Sequence, residues 1–309
     1  MNQIDCENMN EYIDKKIYSI IKKTPPMGNP NIKTTLVLSG GGIKGFAHIG
    51  ALKALNENNI LSNINTIAGS SVGALIGFLY NIGFSIDEIT EFVMEFDFSK
   101  LQLVDPFSFL TKYGLNDGEK FIIVIENMMK EKQIDKNITF KELYAKTHIT
   151  LIITASCINN KEIYYLSHKT FPSMKLVTAL RMSISIPIYL VPVIYENKMF
   201  VDGGCMDNYP IHLFKDNLNC TIGIYIKDTN QYVNTISNAE EFFINLFGCL
   251  SEGNVTNSIK GFEPYTIKIN VQNISMIKFN ITSKIKKDIF DSGYITGIKY
   301  LTENKLLRI

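Results

Sequence analysis

One pattern constrains this chain more than any other, and it occurs twice in the first third. A short apolar run leads into a cluster of glycines, and apolar residues at helical spacing follow. The first copy is 34–39 (TTLVLS), then Gly40, Gly41 and Gly42. A helical pattern then runs from about Lys44 to Asn58, in which Phe46, Ile49, Leu52 and Leu55 recur every three residues. The second copy is 65–68 (NTIA), the segment 69–73, and a helical pattern through about Leu79. An apolar run this short, bounded by glycine, reads as a buried strand. Strand, helix, strand, helix in succession predicts parallel βαβ units and an α/β fold.

No charged residue occurs from Asn58 to Ile86, so the second copy also has the composition of a membrane span. It is read as a buried strand and helix instead. Asn63, Asn65 and Asn81 and four glycines break the run, and its flanks lack the basic and aromatic anchors of a span. Further strands are expected at 149–157, 162–168, 198–203 and 220–226, with helices at about 173–183 and several between 85 and 147. A last helix, about 283–304, is expected to be interrupted near Gly293. Apolar residues make up 46% of the chain, enough for a sizeable core. No repeat or second boundary is visible, so one domain over 32–309 is expected behind a peripheral segment, 1–31. In that segment Ile13, Ile17, Ile20 and Ile21 share one helical face opposite lysines. The reading is a helix docked on the domain, with an interfacial membrane helix as the alternative.

The net charge of +1 gives no electrostatic case for a nucleic-acid partner. Five widely spaced cysteines without a Cys-x-x-Cys pair argue for free thiols, against a disulfide framework and against zinc. No metal and no cofactor are expected. The polar, acidic N-terminus is not a secretory signal. The expected location is the cytoplasm, with peripheral membrane contact.

Three short motifs carry chemistry. Gly69-Ser70-Ser71-Val72-Gly73 matches G-x-S-x-G at a strand-to-helix turn, where small neighbours let a nucleophile stand at a sharp bend. The helix that follows points N–H groups and its positive dipole end at a developing oxyanion. Gly40-Gly41-Gly42-Ile43-Lys44-Gly45 exposes backbone N–H groups that suit a phosphate or an oxyanion. It lacks the Gly-Lys-Ser/Thr ending of a nucleotide loop. Asp202-Gly203-Gly204 presents a carboxylate at a strand end; alone, it is an ordinary turn.

In this order the three motifs resemble the patatin-like phospholipase family. The segment 182–187 (MSISIP), the run from Asp202 through Asn208-Tyr209-Pro210, and His48-Ile49-Gly50 also fit its pattern. The resemblance spans about 34–210, with weaker similarity at 289–300. It implies a three-layer α/β/α fold around a mostly parallel central sheet. It also implies a Ser/Asp dyad without a catalytic histidine, with Ser71 as nucleophile and Asp202 as base. Gly40, Gly41, Gly42 and Val72 would supply the oxyanion hole. The implied activity is calcium-independent hydrolysis of fatty-acyl esters in phospholipids or neutral lipids.

Lys44 is read as a solvated lysine at the loop's mouth, with attraction of a lipid phosphate as the alternative. Phe96, Phe98, Leu101, Leu103, Phe107, Phe109 and Leu110 are read as core, with an acyl pocket or lid as the alternative. The rival enzyme reading is a Ser-Asp-His triad. Of the four histidines only His212 follows Asp202, and it follows too closely for a residue from another strand end. A lipid-binding protein without turnover is the non-enzymatic rival.

Overall fold

The computed structural model describes residues 32–102, 105–228, 235–237, 241–243, 245–249, 259–271 and 279–307. The expected peripheral segment 1–31, with its amphipathic stretch, lies outside the described residues, as do Cys6 and Leu103.

Both copies of the opening pattern form as expected. β1 (Thr35–Leu38) runs through a glycine loop into α1 (Phe46–Glu57), and β2 (Thr66–Gly69) turns at Ser71 into α2 (Val72–Asn81). The uncharged stretch is thus a strand and a helix. No helix among the described residues is long and apolar enough to cross a membrane. Then come α3 (Ile86–Glu95), α4 (Pro106–Lys112), β3 (Gly114–Asn116), α5 (Glu119–Glu131) and α6 (Phe140–Thr147). α3 and α6 each begin with a capping box, Ser85 with Glu88 and Thr139 with Glu142, which satisfies N–H groups at the helix start. β4 (Thr150–Cys157), β5 (Glu162–Leu166) and α7 (Leu176–Ser183) lead to β6 (Ile188–Leu190), β7 (Val193–Tyr195) and β8 (Lys198–Asp202). β9 (Thr221–Asp228), β10 (Thr266–Val271) and α8 (Ser283–Glu303) follow.

The main sheet has the order β10-β9-β1-β2-β4-β8-β7, with β5 also paired to β4. β10, β9, β1, β2 and β4 are mutually parallel. β8, β7 and β5 add antiparallel pairings. All eight residues of β4 are buried, as expected of a strand covered on both faces. Leu36 and Leu38 face the larger apolar cluster, and Val37 between them faces a second one with Ala68, Ile152 and Tyr209.

The register of β4 positions the site. Gly69, ending β2, pairs with Ile153, and Asp202, ending β8, pairs with Ala155 two residues further on. Two strand residues span about 7 Å. Strand ends far apart in sequence therefore meet at one edge of the fold.

The break expected near Gly293 is absent, and α8 is continuous from Ser283 to Glu303. The glycine serves a close helix crossing. A Cβ at Gly293 would lie 2.0 Å from the Ala47 carbonyl oxygen, and one at Gly50 would lie 2.0 Å from that of Phe290. α1 and α8 thus approach backbone to backbone at glycines supplied by each.

Candidate active site

Ser71 stands between the last residue of β2 and the first turn of α2. Its φ of 50° and ψ of −124° lie in a region that non-glycine residues rarely occupy. Such a conformation costs about 1–3 kcal/mol and persists only where neighbours hold it. Gly73 allows the turn to close, because a Cβ there would lie 2.5 Å from the carbonyl oxygens of Leu38 and Ser39. The Ser71 N–H donates to Ser183 Oγ at 3.0 Å, which fastens the elbow to the end of α7.

Ser71 Oγ donates to Asp202 Oδ2 at 2.7 Å. Asp202 Oδ1 accepts the Gly204 N–H at 2.7 Å, and the Asp202 N–H donates to the Ser185 carbonyl at 2.8 Å. Both residues are buried, Ser71 at 6% exposure and Asp202 at 1%. Burial pushes the Asp202 carboxyl up from the ordinary 3.8 to about 7, while hydrogen bonds from Ser71 and Gly204 pull the other way. The result is a carboxylate with a proton affinity near neutrality, in contact with a hydroxyl.

The glycine loop reaches the same place. A Cβ on Gly40 would lie 3.3 Å from Ser71 Cβ and 2.2 Å from Asn208 Oδ1. The Gly40 N–H donates to the Asn208 carbonyl at 3.0 Å, so it is already committed to holding the loop. This narrows the expected donor set. Among the described residues, the N–H groups of Gly41, Gly42 and Val72 take no backbone partner. Val72 is the first residue of α2, where a helix leaves its N–H groups unmatched.

Lys44 is 1% exposed, so it is not a solvated lysine at the mouth of the loop. The sequence suggests a helix starting there, but the chain makes a 3-10 turn over Gly42–Gly45 and α1 starts at Phe46. Three residues per turn instead of 3.6 changes the side to which residue 44 points.

None of the histidines is hydrogen-bonded to Ser71, whose hydroxyl proton goes to Asp202. His48 is fully buried, and burial lowers it to about 4, so its ring is neutral. Its Nε2 lies 2.8 Å from the Ser39 carbonyl, which can only accept, so Nε2 carries the proton. Ser39 Oγ in turn accepts the Ile226 N–H and donates to the Gly40 carbonyl, so His48 braces the start of the glycine loop. His212 is engaged with Tyr165, and its Nδ1 lies 3.8 Å from Asp207. His168 stacks on Tyr144, and His148 caps α6.

Sequence reasoning did not assign the residues that hold the pair. Ser183 and Ser185 anchor Ser71 and Asp202, one by a side chain and the other by a carbonyl. Buried Arg181 donates through Nη2 to the carbonyls of Asp117 and Val191, at 2.8 Å each, and through Nη1 to Ser185 Oγ. The M-S-I-S-I-P segment was visible as a motif. Its hydrogen bonds depend on β4, β8 and α7 meeting in three dimensions, which no spacing in sequence reveals.

An apolar cavity opens beside Ser71. Its lining includes Val72, Leu75 and Leu79 of α2, Phe96 and Phe98 after α3, and Tyr189 of β6, and among the described residues none that lines it is charged. Leu101 lines it too, so three of the middle-region residues surround a cavity instead of solid core. Phe109 is half-buried outside the lining, and Phe107 and Leu110 are 80% and 76% exposed.

The sequence profile described as Patatin-like phospholipase matches residues 36–215. Protein R571 of Acanthamoeba polyphaga mimivirus is 36% identical over 84% of this chain and 90% of its own length. A probable lipid hydrolase, 463L of Invertebrate iridescent virus 6, is 34% identical over 60% of this chain and 64% of its own. Among solved structures, VipD from Legionella pneumophila superposes with a TM-score of 0.66, covering 88% of this chain and 67% of that one. Their identity is 16%, so that likeness concerns the fold. With the profile spanning the glycine loop, the Ser71 elbow and the Asp202 turn, the chain belongs to the patatin-like phospholipase family.

Proposed function

We propose that the protein is a lipid acyl hydrolase that cleaves fatty-acyl esters of phospholipids through a Ser71–Asp202 dyad, without calcium. The observation that carries this reading is the 2.7 Å hydrogen bond from Ser71 Oγ to a carboxylate that burial holds near pH 7. A base works best when its proton affinity matches the working pH, and the hydrogen bond satisfies its geometric requirement. The iridescent-virus relative, described as a probable lipid hydrolase, supports the substrate class.

In the first step Ser71 Oγ attacks the ester carbonyl as its proton moves to Asp202 Oδ2. The charge on the carbonyl oxygen develops against the N–H groups of Gly41, Gly42 and Val72, at the positive end of α2. Collapse of this intermediate expels the lipid alcohol, which takes the proton from Asp202 and leaves an acyl-enzyme. A water then attacks the acyl carbonyl as its proton passes to Asp202, and collapse releases the fatty acid while Ser71 Oγ takes that proton back, restoring both residues. The acyl chain occupies the apolar cavity, and the head group stays outside because the described residues that line it are uncharged.

The test is a hydrolysis panel over lipid classes in the presence of a chelator, comparing wild type with Ser71→Ala and Asp202→Asn. Loss of at least about 10³-fold in both variants is expected from removal of nucleophile or base. Equal turnover by all three proteins refutes the dyad. Covalent labelling of folded wild type by a fluorophosphonate, absent in Ser71→Ala, identifies the nucleophile independently.

A further inference from the structure

The mechanism leaves α4 unused. This helix is only seven residues long, and it turns Ser108 inward while Phe107 and Leu110, three residues apart on one face, point into solvent. Tyr113, which caps its end with φ 64°, is 60% exposed. Three large apolar side chains standing out together on one short element mark a contact surface.

The place of α4 in the fold says what it contacts. On its N-terminal side is Leu101, which lines the acyl cavity. On its C-terminal side is β3, which pairs with β6, and Tyr189 and Leu190 of β6 line the same cavity. The Asp105 N–H donates to the Leu115 carbonyl at 2.7 Å and closes the base of this projection. The exposed apolar tip is therefore built on the cavity's own walls. From Phe98 to Phe121 the chain carries Lys100, Lys112 and Lys120 against Asp105, Asp117 and Glu119. Three positive charges against three negative give no preference for an anionic surface.

We propose that α4 is an interfacial anchor that inserts Phe107 and Leu110 into a zwitterionic lipid surface, with Tyr113 at head-group level. It would hold the cavity against the layer from which the acyl chain must come. Apolar side chains enter the acyl boundary, and a tyrosine suits the polar interface above it. The inference rests on the lipid-hydrolase reading but is tested without turnover.

The chain contains no tryptophan, so Phe107→Trp in a full-length Ser71→Ala background places a single reporter at the site. The expected result is the emission of a water-exposed indole in buffer and a blue shift on adding phosphatidylcholine vesicles, little changed by salt. An indole already blue-shifted in buffer overturns the proposal. If dilution reverses that shift, the face pairs with a second copy. If it does not, the face is covered by the protein's own chain. No shift with vesicles, or a shift only with anionic vesicles at low salt, also overturns it. In the second arm, Phe107→Ser/Leu110→Ser should weaken vesicle binding by at least about tenfold, equal to about 1.4 kcal/mol. Hydrolysis of a soluble short-chain ester and the thermal midpoint should stay at wild-type values. Unchanged vesicle binding by this variant refutes the anchor. If α4 inserts but wild type hydrolyses neither lipid nor soluble ester, only the hydrolase reading falls. If the soluble ester is cleaved and α4 does not insert, only the anchor falls.

Discussion

Replacing Asp202 by asparagine is expected to inactivate the protein and, at the same time, to stabilise it. In the fold the Asp202 carboxyl holds its proton up to about pH 7, against an ordinary value of 3.8 in the unfolded chain. Between these values the folded state binds the proton more tightly, so stability falls as pH rises from 3.8 and levels off above 7. At 1.36 kcal/mol for each pH unit, the full penalty above neutrality is about 4 kcal/mol. Less than half of it is present at pH 5, so the advantage of Asp202→Asn grows by about 2–3 kcal/mol between pH 5 and pH 8. Asparagine keeps the shape of the side chain and an acceptor for the Gly204 N–H, and it does not titrate. The unfolding entropy of a 309-residue chain is about 0.65 kcal/mol per kelvin, so this growth appears as about 4 °C in the thermal midpoint. Paired thermal and urea unfolding of wild type and variant across pH 5–8 measures it. A stability difference that does not change with pH refutes the claim that Asp202 is a buried, proton-hungry carboxylate. The same group gates activity, because only its ionised form can take the Ser71 proton, so turnover should rise with pH through about 7.

Three further outcomes follow from the same geometry. His48 is held neutral, with its proton affinity lowered from 6.5 to about 4, so its contribution is complete above pH 6.5 and is lost as pH falls towards 4. The stability difference between wild type and His48→Gln should therefore shrink by about 3 kcal/mol from pH 7 to pH 4 in urea titrations. Ser183→Ala removes the acceptor of the Ser71 N–H and should lower kcat about tenfold or more with little change in KM, as expected when about 1–3 kcal/mol of positioning is lost. An unchanged kcat means that the elbow is held by other contacts. Gly293→Ala drives a methyl into the Ala47 carbonyl and should destabilise the fold by about 3 kcal/mol or more, read as a lowered thermal midpoint.

The sequence revealed most where physics acts locally. The strands before Gly40 and Gly69 and the helices after them lie within a few residues of where apolar runs and glycines suggest. Asp202 ends its strand as the K-M-F-V run implies. What was not legible depends on distant partners. β3, β6 and β7 have only three residues each, and they and β10 are defined by strands elsewhere in the chain that supply their hydrogen bonds. Gly293 reads as a helix breaker because its value lies in a neighbour, the backbone of α1, more than two hundred residues away. Lys44 reads as a surface residue because charge suggests solvent, whereas a tight turn buries it. Phe107 and Leu110 read as core because apolar composition suggests burial, and α4 exposes them. Ser71, Asp202 and the loop glycines were legible as motifs, and so were the segments holding Ser183, Ser185 and Asn208, but the hydrogen bonds these three make required the folded arrangement.

The glycine crossing of α1 and α8 also bears on how the molecule comes into being. α1 follows the glycine loop directly, and its backbone is covered by residues 283–303, more than two hundred positions further along the chain. On the ribosome, β1, β2 and the Ser71 turn emerge well before α8, with one flank of α1 bare in the interval. Contacts this far apart in sequence form slowly, and exposed apolar surface in the interval invites aggregation. A nascent chain arrested before residue 283 would carry every residue of the dyad and the glycine loop without the helix that completes the layer behind them. The flank of α1 that α8 covers can therefore close only after α8 has emerged.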